Sequence, residues 1–402
     1  GVLGGSGSGI ASTALSVETL GGAVVLLAFA IKAAFPFANG WLQDAYPEAS
    51  VTGTVILSAF TTKLAIYMLA LCFAGTHMLI WFGVVMTLFP VFFAVIENDL
   101  RRVLAFSLNN QLGFMVVGIG IGTELALNGT VAHAFAHIIY KSLLFMSMGA
   151  VLYRTGTAKA SELGGLWKRM PLTTLFCIIG AVSISSFPLF SGFVTKSLTI
   201  GSAAYEGYFW VWVALIFASA GVLEHSGIKI PYFAFFGHDR GFKVREAPFS
   251  MLVAMGIAAL LCVAIGVAPE MLYALLPYEV TYKVWDAGHV LGELQLLLFA
   301  VLAFAFLMLR GLYPPEIDST VLNTDWLFRK AAPALWRMLA NPVMRLWQAG
   351  LAIASRQIVA AVERGTHISR NNYLISGTAT IGAAAGLFLA VFALLLALRY
   401  MM

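Results

Sequence analysis

His133, His137 and Lys141 recur every four residues. On a helix that spacing puts them on one face, two imidazoles that change charge near neutral pH in line with an amine. Two histidines at i, i+4 could also ligate zinc. No third ligand of the usual kind accompanies them, however, and Lys141 on the same face would repel a metal, so the stripe fits proton relay better; the competing role is histidines that merely bond across helices. Lys32, Lys63 and Lys196 each lie in a run otherwise apolar enough for a bilayer. A charged lysine at the centre of a spanning helix costs roughly 3 kcal/mol on insertion scales, a burden sequences rarely carry without using it. Lys32 is followed by Pro36 and Asn39, and Lys196 closes the stretch SISSFPLFSGFVTK, which holds Pro188 and Gly192. Proline breaks a helix, and broken backbone at membrane depth survives only where it is buried or lines a water-filled cavity. The competing role for each lysine is snorkelling to an interface, an option open chiefly to Lys196, nearer a helix end. Glu224, His225 and Lys229, just before Pro231, form a further cluster. Its Glu/Lys pair can neutralise part of its own burial cost, so a structural role competes evenly with a functional one.

The elements that must position these residues are membrane spans. Of 402 residues 60% are hydrophobic and only 11% charged, where soluble domains carry about 25% charged residues. Runs of the ~20 apolar residues a span requires centre on 20–40, 52–74, 77–96, 102–123, 127–153, 171–201, 208–236, 249–276, 291–311 and 377–400. This is an all-α polytopic bundle with two discontinuous helices, and a pair of Pro-interrupted helices in corresponding positions points to inverted repeats around a conduction path. The Gly/Ser run Gly1–Gly9 reads as a loop, which suggests a fragment lacking upstream helices. Cys72, Cys177 and Cys262 are far apart within apolar segments and read as packed thiols.

Alternate connections hold Arg101 and Arg102; Arg154, Lys159, Lys168 and Arg169; Arg240, Lys243 and Arg245; then Arg310 through Arg370. The intervening ones hold Glu124, Glu206, Glu279, Asp286 and Glu293 with a single Lys283. The excess of Lys and Arg makes the former cytoplasmic and the C-terminus external. Residues 331–366 alternate apolar positions with Arg337, Arg345, Arg356, Glu363 and Arg364, an amphipathic pattern suited to the cytoplasmic interface, with Trp336 and Trp347 at headgroup level and a kink at Pro342; the alternative is an ordinary cytoplasmic helix packed on loops. Gly118, Gly120 and Gly122 lack the βαβ context of a nucleotide loop. No CxxC, haem pair, Walker motif or basic–aromatic nucleic-acid surface is present, so no cofactor and no nucleic-acid partner is expected.

Asn98-Asp99-Leu100-Arg101-Arg102-Val103-Leu104-Ala105-Phe106-Ser107, continued by Gln111-Leu112-Gly113, resembles the DLKRxLAYSSxxQxG signature of proton-translocating antiporter-like subunits. So do His133-x3-His137-x3-Lys141-Ser142-Leu143-Leu144-Phe145 and Ser191-Gly192-Phe193-Val194-Thr195-Lys196. These subunits occur in multisubunit Mrp-type Na⁺/H⁺ antiporters, in the membrane arm of respiratory complex I, and in related hydrogenases and bicarbonate transporters. The overall look is closest to the D subunit of the monovalent cation/H⁺ antiporters, and the likeness covers residues 20–275.

The resemblance implies that the chain begins before the family's seventh helix. Residues 1–75 would end the first repeat, 76–236 would form the second five-helix repeat, and 237–311 two further helices. A cytoplasmic-side amphipathic segment (312–376) and a last helix (377–402) would follow. It matches Lys32 to the lysine of the first half-channel, Lys63 to the bridging lysine, the histidine stripe to the linker and Lys196 to the exit residue. Glu224, His225 and Lys229 fall outside the family pattern. The implied activity is proton movement in the bacterial inner membrane, coupled to Na⁺ or K⁺ exchange by other antiporter-complex subunits. The rivals are a proton pump powered by redox chemistry in other chains and a non-conducting membrane scaffold.

Overall fold

The computed structural model describes residues 14–371 and 381–400. The Gly1–Gly9 run, the end of the 312–376 segment and the start of the last expected span lie outside them. The chain divides between Trp326 and Leu327 into two units.

In the first unit the helices are α1 (Leu20–Lys32), α2 (Gly40–Glu48), α3 (Val51–Phe73), α4 (Met78–Ile96), α5 (Leu100–Ile121) and α6 (Glu124–Thr155). They continue as α7 (Pro171–Ile184), α8 (Ser191–Tyr205), α9 (Phe209–Phe236), α10 (Phe249–Val267) and α11 (Ala287–Leu309). Seven of them, α3 to α6 and α9 to α11, are long and apolar enough to cross a membrane. Helix α5 is the axis of the unit. Every residue of it except Arg102 and Ile121 is buried, with α4 and α6 as principal neighbours. The approach to α4 is close enough that a Cβ on Gly113 would stand 2.6 Å from the Gly83 carbonyl oxygen. Helix α6 in turn carries α3, α7, α8 and α10 on its surface.

Both expected discontinuities are present, and they share one design. The first lies between α1 and α2, the second between α7 and α8. Each holds two non-glycine residues in the left-handed region on either side of its proline: Ala34 (φ 60°) and Phe37 (φ 68°) around Pro36, Ser186 (φ 61°) and Leu189 (φ 74°) around Pro188. Such conformations cost about 1–3 kcal/mol each and persist only where the surroundings over-determine them. A glycine four residues after each proline, Gly40 and Gly192, lies in the first turn of the second half-helix. At Gly192 a Cβ would fall 1.8 Å from the Ser183 carbonyl oxygen, so only glycine lets the two half-helices pass.

The first broken element is longer than hydropathy indicates. The expected run stops near residue 40, but a second half-helix, α2, follows. Gln43, Asp44, Pro47 and Glu48 make it too polar to register as a span. Two spans also contain π-helical turns, Leu57–Thr61 in α3 and both Leu223–Ile228 and Tyr232–Phe236 in α9. These sit beside the polar residues of both helices, as π-bulges at functional sites often do.

In the second unit, α12 (Ala332–Asn371) is a single 40-residue helix that continues through Pro342. Its amphipathic face carries Trp336, Leu339, Val343 and Trp347 on the surface of the unit. The last helix is α13 (Ile381–Tyr400).

Candidate functional site

The stripe on α6 is wholly interior: His133, His137 and Lys141 are each 0% exposed. His133 is anchored at both ring nitrogens, Nδ1 3.2 Å from Thr195 Oγ1 on α8 and Nε2 3.2 Å from Gln111 Oε1 on α5. Tyr140, two turns further along α6, donates its hydroxyl to the same Gln111 oxygen at 3.1 Å. Gln111 is itself fixed, its amide donating to Asn110 Oδ1 at 2.5 Å. Three helices therefore set one imidazole. His137 differs. Its ring centroid is 6.1 Å from that of His133 and 5.2 Å from that of Tyr140, yet neither ring nitrogen has a hydrogen-bond partner among the described residues. The Lys141 amine likewise has none among them and stands 6.0 Å from the Phe145 ring.

Lys63 and Lys196 flank this stripe. The Lys63 amine donates to the Ser58 carbonyl at 2.5 Å, an oxygen of the π-helical turn, and it lies within Coulombic range of both histidines and of Lys141. The Lys196 amine donates to the Ile184 carbonyl at 2.6 Å and sits 5.4 Å from the Phe114 ring. Ile184 is the last residue of α7, so the break supplies the acceptor: a helix end leaves its final carbonyls without intrahelical partners. The structure thus brings Lys63, Lys141, His137, His133 and Lys196 into one buried line. Among the described residues no carboxylate is hydrogen-bonded to any of them, and no group of three or more histidine, cysteine or carboxylate side chains is placed to hold a metal ion.

Lys32 does not join it. It is the final residue of α1 and exposed. The helix packs through Gly22, Leu26, Ala30 and Ala33. At 3.6 residues per turn Lys32 lies about 200° around from Ala30, on the opposite side.

The third cluster separates into two parts. His225 is buried, its Nδ1 2.8 Å from Ser226 Oγ, which donates to Ser107 Oγ on α5 at 2.8 Å. Lys229 instead closes the end of α4, donating to the carbonyls of Val95 and Glu97 at 2.6 and 2.7 Å, where a cation complements the helix dipole. It also pairs with Glu316 at 2.9 Å. Burial pushes the Glu316 carboxyl above the usual range, while the Lys229 ammonium draws it back down. Glu224 lies half-buried on the same π-helical turn as His225.

Arg101 and Arg102 are less loop-like than their place in a basic connection suggests. Arg101 is 3% exposed and donates to the Pro47 and Ala49 carbonyls at 2.7 and 2.9 Å, tying the end of α2 to α5. Arg102 pairs with Asp44 and with Glu97, each at 3.2 Å. Glu293, expected in a connection, belongs instead to α11, whose apolar run begins just after it. Among the other residues that sequence reasoning missed, Gln111 carried a signal, as part of the signature motif. Tyr140, seven positions after His133, carried only its helical spacing.

This is a polytopic integral membrane protein of antiporter-like transmembrane fold. The family described as NADH:quinone oxidoreductase/Mrp antiporter, transmembrane, matches residues 10–221, and the chain belongs to it. It is 32% identical over 255 residues to the D subunit of the Na(+)/H(+) antiporter of Alkalihalophilus pseudofirmus, covering 58% of this chain and 51% of that protein. It is 30% identical over 246 residues to the L subunit of the F(420)H(2) dehydrogenase of Methanosarcina mazei, covering 56% of this chain and 37% of that one. The chain thus spans between 37% and 51% of the length of these two relatives. In fold it resembles a chain of the membrane-bound sulfane sulfur reductase, an archaeal respiratory membrane complex, with a TM-score of 0.62 over 95% of this chain and 69% of that one at 24% identity.

Proposed function

We propose that this chain is a proton-translocating subunit of a multisubunit monovalent cation (Na⁺ or K⁺)/H⁺ antiporter in the bacterial inner membrane, resembling the D subunit. The supporting observation is the buried line Lys63, Lys141, His137, His133 and Lys196, anchored on a π-helical turn at one end and a helix break at the other. Lys32 would serve as the entry lysine only in a conformation or assembly that covers its exposed side. The paired breaks favour two inverted repeats, the second spanning 76–236. The end of the bundle carrying Arg101, Arg102, Arg154 and Lys159 would face the cytoplasm, and other membrane subunits of the complex would supply the coupling.

A second reading, a proton-pumping subunit of a redox complex, is favoured by the likeness to the L subunit of F(420)H(2) dehydrogenase. The test reconstitutes the complete complex in proteoliposomes. Addition of Na⁺ or K⁺ collapses an imposed pH gradient without any electron donor if the antiporter reading holds. Proton movement that appears only with an electron donor selects the redox reading. In either complex Lys196→Ala abolishes transport at unchanged membrane abundance; wild-type transport by that variant refutes the relay.

A further inference from the structure

Beyond Lys196 the structure holds a cleft, lined mostly by apolar side chains, that brings together titratable groups outside both the family signature and the stripe. The cleft, of about 640 Å³, opens between α8, α9 and α11, lined by Lys196 and Ser197 on one side and by Glu293 and His289 on the other. A second cavity of about 620 Å³ adjoins it, sharing His289, Tyr205 and Tyr282 and adding Asp286 and Lys283 of the α10–α11 connection. That connection lies at the end of the bundle opposite Arg101 and Arg102. Its Tyr278 carbonyl accepts from Asn128 Nδ2 at 2.9 Å, near the start of α6.

The groups along this route suit proton transfer. Glu293 is a carboxylate on a spanning helix otherwise rich in apolar residues, a placement that is costly without a use. Its Oε1 is buried with no hydrogen-bond partner among the described residues. Lys196 lies within its Coulombic range, though not within ion-pair distance, so the cleft between them has room for water. His289 stands four residues before Glu293, on the same face and about 6 Å away along the axis. Its Nδ1 is 2.9 Å from the Val284 carbonyl, so that nitrogen carries the proton. Its ring stacks on Phe193 with centroids 4.7 Å apart. The tautomer is thereby fixed with Nε2 as the open acceptor. Asp286, at the mouth, caps α11 by accepting from Gly288 N at 2.9 Å.

We propose that Glu293 and His289 form the exit leg of the proton path, taking the proton from Lys196 through water in this cleft and releasing it beside Asp286. The Lys196 ammonium gives its proton to the Glu293 carboxylate, the carboxylic acid passes it to His289 Nε2, and the imidazolium releases it to water. Charge is conserved at each step and no co-reactant is needed. This inference rests on the relay reading above.

The test is made on the complete complex in proteoliposomes, with the pH of the two sides varied separately. Glu293→Gln slows transport roughly 100-fold, the loss typical of removing a positioned proton-transfer group, and Glu293→Asp restores most of it. His289→Phe changes how the rate depends on pH at the α10–α11 side and leaves its dependence on the other side alone. A counter-charge that merely neutralised Lys196 would not produce that one-sided change. Normal transport by Glu293→Gln, or an unchanged pH profile in His289→Phe, overturns the exit leg. If Lys196→Ala is inactive while Glu293→Gln transports normally, only this inference fails; if Lys196→Ala also transports, the relay itself fails. Should Glu293→Gln not assemble, Ser197→Cys decides. Reaction with a membrane-impermeant thiol reagent from the α10–α11 side alone supports the route, and protection from that side refutes it.

Discussion

His133 and His137 lie one turn apart on the same stripe, yet the structure holds them differently, and that difference predicts unequal costs in stability for replacing them. His133→Leu gives up its contacts with Thr195 and Gln111, each 3.2 Å long. Neither partner is orphaned, because the Thr195 hydroxyl can turn to donate to the Ser191 carbonyl, 3.0 Å away, and Gln111 still accepts from Tyr140 at 3.1 Å. The loss is therefore two net hydrogen bonds, about 1–3 kcal/mol in all. His137→Leu breaks no hydrogen bond within the described residues and adds apolar surface to a buried site, so its cost stays below about 1 kcal/mol, within the range of a well-tolerated core exchange.

For transport the single and double changes diverge. The two ring centroids are 6.1 Å apart, so a single change still leaves a titratable ring one turn, about 5.4 Å, from the missing one. With both rings gone the stripe lacks a titratable group for two turns, about 11 Å. Each single variant accordingly keeps partial transport, and the double variant loses nearly all of it, the non-additivity expected where two residues share one path. The assay measures ion flux in proteoliposomes at matched abundance, with thermal unfolding of the same preparations. A double variant with most of its activity would mean that the proton travels elsewhere, with Glu224 and His225 as the next candidates. Equal destabilisation by the two single changes would refute the distinction drawn from their partners.

Lys63→Arg keeps the charge and can still reach the Ser58 carbonyl, but guanidinium does not give up its proton, so transport is lost while assembly persists; normal flux would make Lys63 a fixed charge. Lys229→Met leaves Glu316 and the carbonyls that end α4 without their cation and lowers stability by about 3–5 kcal/mol. Thermal unfolding that matches the wild type would show that the pair is dispensable.

Much of this molecule can be read from the chain alone. Apolar runs of bilayer length, a proline with a following glycine in each of two runs, and titratable residues every four positions are local patterns. Helix geometry converts each directly into a span, a break or a stripe. Which side of a helix meets the rest of the protein is a different matter, because it depends on how each helix is rotated against its neighbours. Lys32 and Lys63 look alike in sequence, both lysines about a dozen residues into apolar runs, but α1 turns Lys32 outward while the π-helical turn of α3 brings Lys63 inward. Lys229 has the sequence setting of a relay residue, and only the end of α4 beneath its amine gives it a structural role. Glu293 has the setting of a loop acid, and only α11 places it across a cleft from Lys196. Hydropathy reports how much apolar surface a segment has; the partner waiting at each polar atom exists only once the helices have packed.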